Sequence, residues 1–272
     1  MQLLVSVMGS LDAAAALDGG ADLIDAKDPA VGALGAVSID QFHRIVGTIA
    51  GTRPVTAALG DAFDEAVIER SARTFAAAGA AFVKIGFAGI DEGDRVARLI
   101  AAAVRGARIG AADGYGAAAP DLSSENRGVV AVAYADAGRA RSISSHGLVD
   151  VAARAGASGV LLDTFDKQHG GLRDLIAPPA LGAWVAAAHE AGVFAALAGK
   201  LTASDLPFVR DAGADIAGVR GAACEGGGRT CRVTADRVRL LREACYGPVL
   251  AAVAQVGNSC QTPFDGFGSK GV

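Results

Sequence analysis

Five times in this chain a glycine follows an alanine-rich, helix-like run and opens a short apolar stretch. The glycines are Gly20, Gly79, Gly156, Gly192 and Gly213, and the stretches read ADLIDAK, AAFVKIG, ASGVLLD, VFAALAG and ADIAGVR. All five end in step: seven residues after each glycine stand Lys27, Gly86, Asp163, Gly199 and Arg220. A recurring helix–glycine–strand unit builds parallel sheet, because parallel neighbours need a crossover between them. Weaker apolar runs at Leu3–Val7, Val55–Leu59 and Val129–Ala135 bring the predicted strands to eight. Eight strands alternating with helices over about 245 residues predict one (β/α)8 TIM barrel. An open doubly wound sheet is the competing arrangement, but no GxGxxG follows the first strand.

Helix signals fall between the strands. Ser38-x-x-Gln41 and Thr202-x-x-Asp205 read as N-terminal capping pairs, and Pro178-Pro179 suits the start of a helix running to about Ala191. Thr234 is expected to cap the last helix, with Val238, Leu241 and Cys245 as its apolar stripe. The barrel is therefore placed at residues 1–246 as a single catalytic domain. Two segments stand outside the repeat. Gly106–Gly128, rich in Gly and Ala and then polar, reads as an exposed connection before the fifth strand. Residues 247–272 form a C-terminal extension: its first half can pack on the barrel or on a neighbouring subunit, leaving a homo-oligomer open, and its Gly-, Ser- and Pro-rich end reads as mobile.

With 51% hydrophobic residues and a formal net charge of −4, the chain can bury a sizeable core and lacks the basic stripe of a nucleic-acid binder. No apolar run has the length of a membrane span, and MQLLVSVMGSLD reads as a first strand, not a signal peptide. Cys224, Cys231, Cys245 and Cys260 form neither a disulfide framework nor a zinc spacing, which favours the reducing cytoplasm. The four histidines are scattered, so no metal site is expected.

Barrel active sites form where strands end. Asp25 and Lys27 lie five and seven residues after their glycine, Lys84 five, and Asp163 and Arg220 seven. The shared odd parity points all of them into the barrel, where Val, Ile and Leu are usual. Two lysines and two carboxylates in one mouth point to chemistry. A neutral lysine amine adds to a carbonyl and gives a protonated imine, an electron sink for making or breaking carbon–carbon bonds. Desolvation and a second ammonium lower the pKa for that task, so Lys27 and Lys84 are read as nucleophile and proton shuttle in either order, with Asp25 and Asp163 carrying protons or positioning them. After strands seven and eight, Gly199-Lys200 and Gly218-Val219-Arg220-Gly221-Ala222 read as an anion site, the usual phosphate position of this fold.

With these residues in hand, the chain resembles the (5-formylfuran-3-yl)methyl phosphate synthase family. The resemblance rests on GGADLIDAKDPAVGALGA (19–36), ALGD (58–61), FVKIG (82–86), AYADAGR (133–139), LLDTFDK (161–167), LAGK (197–200) and GVRGAAC (218–224). It implies a (β/α)8 lyase that condenses two glyceraldehyde 3-phosphate molecules on the way to methanofuran, losing one phosphate and water, in one-carbon metabolism of methanogens or methylotrophs. It also implies Lys27 as the Schiff-base lysine and Lys84 as the proton-transferring one, with a phosphorylated triose as the partner molecule and no redox cofactor or metal. The rival readings are a class I aldolase, a decarboxylase with an Asp-x-Lys array in which the lysine stays a cation, and a non-catalytic metabolite-binding barrel.

Overall fold

The computed structural model describes residues 1–114 and 128–246. Eight parallel strands close into a barrel in sequence order, β8 pairing with β1. The strands are β1 (Gln2–Val7), β2 (Leu23–Ala26), β3 (Val55–Asp61), β4 (Phe82–Gly86), β5 (Gly128–Tyr134), β6 (Gly159–Asp163), β7 (Phe194–Leu197) and β8 (Ile216–Val219). The helices are α1 (Ser10–Asp18), α2 (Ile39–Ile49), α3 (Glu65–Ala77), α4 (Gly93–Asp113), α5 (Ala137–Ala140), α6 (Ser145–Arg154), α7 (Leu172–Leu175), α8 (Pro178–Glu190), α9 (Leu206–Asp211) and α10 (Ala235–Tyr246). The TIM barrel expected from the repeated glycine phrase is the fold observed. Among the described residues no helix is long and apolar enough to cross a membrane.

Alternation along each strand separates two cores. The larger lies between the outer strand faces and the helices, and includes Leu3, Val5, Ile24, Ile85, Leu162 and Trp184. The smaller fills the barrel, with Leu4, Leu23, Val130, Leu161 and Ile216, and with Phe82 and Phe194 meeting edge to face at 5.3 Å. Interiors of this fold are usually packed with large branched side chains. Here Ala58, Ala196, Ala198 and Gly218 take interior positions nearer the mouth, and less side-chain volume leaves open space there. The local signals also operate as expected: Ser38 Oγ accepts from Gln41 N at 3.2 Å, and Val238, Leu241 and Cys245 are the buried face of α10.

One boundary differs from expectation. Residues 106–113, assigned above to a connection, are the last turns of α4. Gly106 and Gly110 stand one turn apart on the face that meets α3, where an added Cβ would lie 2.1 Å from Glu69 O or Arg73 O respectively. The glycines thus serve close helix packing, which composition alone does not separate from a loop. Arg105–Glu69 and Arg73–Asp113 ion pairs flank the contact. Residues 115–127 of that connection, and the 247–272 extension, lie outside the described residues. In an open helix Gly→Ala gains up to about 1 kcal/mol. At this contact Gly106→Ala is expected to lose about 1–3 kcal/mol instead, since backbone must move. Chemical denaturation of the variant checks the sign; a raised midpoint would contradict the close approach.

Candidate active site

The strand ends open into a cavity of about 660 Å³, lined by Lys27, Lys84, Asp163, Gly199, Lys200, Gly218, Arg220, Gly221 and Ala222. Asp25 lies just beneath, fully buried. The residues that parity placed in the interior do converge on the mouth, joined by a neighbour that the strand register does not reach, Lys167.

Two buried ion pairs organise the centre. Lys84 Nζ lies 2.5 Å from Asp25 Oδ2, and that carboxylate also accepts hydrogen bonds from Ser6 Oγ at 2.9 Å and Thr56 Oγ1 at 2.7 Å. Ser6 lies on β1, Thr56 on β3 and Lys84 on β4, so with Asp25 on β2 four adjacent strands meet at one carboxylate. Burial alone would push the Asp25 carboxyl up. The Lys84 and Lys27 ammoniums and the hydrogen bonds outweigh burial and hold it below the ordinary carboxylate value. The second pair is Lys167 Nζ to Asp163 Oδ1 at 2.6 Å, with Thr164 N donating to the same oxygen. Burial again pushes up, and the Lys167 and Lys27 charges bring the Asp163 carboxyl down. Lys167 stands on the loop after β6, which Asp136 fixes by accepting from Phe165 N and Asp166 N.

Lys27 is the third amine. Its position two residues after Asp25 suggested a partnership, but Asp25 is taken by Lys84. Among the described residues Lys27 Nζ has neither a hydrogen-bond partner nor a carboxylate in ion-pair contact, and it faces the cavity. Burial lowers its pKa from 10.5 to about 8; the Lys84 and Lys167 ammoniums add to that, and Asp163 and Asp25 push back. Near neutral pH a useful fraction of Lys27 is therefore free amine. Tyr134 lies beside this centre, its hydroxyl donating to Asp61 Oδ1 at 2.7 Å. Burial and the Asp61 charge push the phenol well above its ordinary value, so it stays a donor.

The expected anion loops line the same cavity, but Arg220 takes a different part. Its Nη1 donates to Asp12 Oδ2 at 2.7 Å and to Ser6 O at 2.9 Å, its Nε to Arg229 O at 2.8 Å, and its Nη2 to Cys231 O at 2.9 Å. Four of the five guanidinium donors are thereby held by the protein. The Arg220 side chain thus braces β8, β1 and the 229–231 loop while still lining the cavity. Lys200 adopts a left-handed backbone (φ 59°) after Gly199 (φ 110°), and its Nζ donates to His169 O at 2.7 Å. A non-glycine residue held there signals a loop shaped by function or packing. Two further cations line the cavity, Arg229 and Arg237, and no sequence motif had singled them out.

The depressed Lys27 pKa is also a stability statement. Because the folded value lies below the unfolded one, the ammonium is penalised in the native state. The penalty is fully present below pH 8 and fades as pH rises toward 10.5. Lys27→Met is expected to gain about 1–3 kcal/mol at pH 7, allowing for partial exposure of the side chain, with the gain shrinking above pH 8. Unfolding midpoints of both proteins across pH 6–10 measure this, and a destabilised variant would contradict it.

A sequence profile of the family described as 4-HFC-P synthase matches residues 3–242, from the first strand into the last described helix. The (5-formylfuran-3-yl)methyl phosphate synthase of Methanopyrus kandleri is 35% identical over 245 residues, covering 89% of this chain and 98% of that one. The synthase of the same name from Methanocaldococcus jannaschii is 34% identical over 251 residues, covering 90% and 100%. Among solved structures, 3-hexulose-6-phosphate synthase aligns with a TM-score of 0.57 at 23% identity, over 90% of this chain and 99% of that one, a likeness of fold. Named synthases of matching length on both sides make this an enzyme, and the chain belongs to the 4-HFC-P synthase family.

Proposed function

We propose that the protein joins two molecules of glyceraldehyde 3-phosphate into (5-formylfuran-3-yl)methyl phosphate through an imine on Lys27, releasing one phosphate and water, as a step toward methanofuran. The observation that carries this reading is the unpaired Lys27 amine between two lysines that are each held by a carboxylate. A nucleophilic amine must be deprotonated and accessible, and Lys27 faces the cavity with no carboxylate in ion-pair contact among the described residues and a pKa lowered to about 8. A decarboxylase of the Asp-x-Lys kind would keep that lysine as a cation; an unpaired amine with a pKa of about 8 favours the imine.

The reaction assigns roles to the neighbours. Lys27 Nζ adds to the aldehyde carbon, and the carbinolamine oxygen leaves as water when a donor protonates it. Lys84 and Lys167, each next to a carboxylate, are suited to give and recover protons, with Asp25 and Asp163 holding them in place. Loss of the proton on the adjacent carbon to a neighbouring base gives an enamine that expels the phosphate, and the enol so formed, on giving up its hydroxyl proton, supplies the electron pair that attacks the second aldehyde. Support for phosphorylated substrates comes from charge. Once the Lys84–Asp25, Lys167–Asp163 and Arg220–Asp12 pairs are formed, Lys200, Arg229 and Arg237 line the cavity with no carboxylate in ion-pair contact among the described residues. Lys200, the backbone of Gly199, Gly218, Gly221 and Ala222, and Arg237 in the first turn of α10 are proposed as the phosphate site on the β7–β8 side. A cation is unfavourable at a helix N-terminus, so its placement there fits service to an anion.

Incubation with glyceraldehyde 3-phosphate and borohydride is expected to leave one reduced triose on Lys27, located by peptide mass. The trapping rate should climb with pH and level off above about 8. An adduct confined to Lys84 or Lys167, or no adduct, would overturn the assignment. Lys84→Met is expected to lower furan formation by about two to four orders of magnitude. It should also destabilise the fold by about 3–5 kcal/mol, because Asp25 is left as an unpaired buried charge. Adding Asp25→Asn should recover much of that stability and none of the turnover. Recovery of both together would make the pair structural only.

A further inference from the structure

We propose that Arg229 is a second phosphoryl-binding site, on the β2 side of the mouth, holding the phosphate of the triose that presents its aldehyde to Lys27. The proposal rests on the two-substrate reading above, which puts two phosphate dianions in one cavity.

The unpaired cations divide by position. Lys200 follows β7 and Arg237 opens α10, so both serve the β7–β8 flank. Arg229 reaches the other way. From the loop after β8 it extends past β1, and its Nη2 donates to Gly32 O at 3.2 Å in the loop that begins at Lys27. That is the one hydrogen bond of its guanidinium among the described residues, which leaves most of a planar five-donor fork toward the cavity. Such a fork matches phosphate oxygens two at a time, which an ammonium does not.

The mount is rigid. Arg220 Nε holds Arg229 O at 2.8 Å, Arg220 Nη2 holds Cys231 O, and Asp12 Oδ1 accepts from Val233 N at 3.1 Å. Gly221 lets the loop pass closely, since an added Cβ would lie 2.8 Å from Gly227 O. The receiving loop is closed as well: Asp28 N donates to Gly35 O, and Asp28 Oδ1 accepts from Ala30 N. A guanidinium fixed at both ends, reaching the loop that begins at Lys27, is placed to hold a substrate by its charged end while the aldehyde reaches the amine. Partial burial strengthens its hold on an anion, since less water screens the charge.

The test pairs anion binding with trapping, on Arg229→Gln. Calorimetric titration with inorganic phosphate is expected to give two sites in the wild type and one in the variant. In borohydride trapping, the glyceraldehyde 3-phosphate concentration for half-maximal labelling should rise about tenfold or more, the scale of a lost charge-assisted hydrogen bond. Labelling by unphosphorylated glyceraldehyde should stay at the wild-type level, and Arg229→Lys should fall between. Unchanged phosphate binding would overturn the proposal. So would equal losses with the phosphorylated and unphosphorylated aldehydes, which would make the Gly32 contact merely structural. If the wild type traps neither aldehyde, the Schiff-base reading fails, and the number of phosphate sites still decides the role of Arg229.

Discussion

Three lysines share the barrel mouth with two buried carboxylates, and that uneven count governs the site. A buried charge is tolerated when paired and hydrogen-bonded. Asp25 meets this condition with Lys84, Ser6 and Thr56, and Asp163 with Lys167 and Thr164. The remaining amine, Lys27, has no carboxylate in ion-pair contact among the described residues, and burial together with the two neighbouring ammoniums lowers its proton affinity. The environment of Lys27 is thus a property of the set. Each pair satisfies its own members and, by doing so, leaves the fifth group poised.

The barrel supports this arrangement by withholding volume. Small residues at Ala58, Ala196, Ala198 and Gly218 keep the upper interior open, while Phe82 and Phe194 close it below. Buried struts then fix the loops that border the cavity. Asp12 and Arg220 join the end of β8 to α1 and to the 229–233 loop, Asp136 fixes the loop carrying Lys167, and Lys200 ties the β7 loop to His169. Side chains meant to act on a substrate need such support, because small displacements are expensive in rate.

Much of this was legible in the residues. The glycine register fixed strand order and parity, and parity placed Asp25, Lys27, Lys84, Asp163 and Arg220 at the mouth without a homologue. It could say which way a side chain points but not what it meets. Asp25 and Lys27 are two positions apart in sequence, yet the ammonium that Asp25 meets lies two strands over, on Lys84. Arg220 looked like a ligand because its fork is the right shape for phosphate; the groups that hold it, Asp12 and the carbonyls of 229 and 231, are remote in sequence or carry no side-chain signal. Lys167 and Arg229 stand on loops beyond the strand register. A lysine four residues after Asp163 and an arginine closing the run GGGR at 226–229 were the available hints. Residues 106–113 were misread because Gly in a helix contact and Gly in a loop have the same composition.

The chain as a whole carries a formal charge of −4, yet its cavity holds the opposite sign. Local pairing explains how both hold. The carboxylates near the mouth are consumed in pairs with Lys84, Lys167 and Arg220, and the exposed acidic residues lie largely on the helical shell, as Glu65, Glu69 and Asp113 do in their own ion pairs. What remains at the opening is a few fixed cations above low-dielectric walls, a geometry that concentrates field lines on the entrance. Cations confined to a cleft within an acidic exterior suit a small anion such as the phosphorylated substrates proposed above. Lys27 lies within this set, its proton affinity lowered by burial first and by the Lys84 and Lys167 ammoniums in addition.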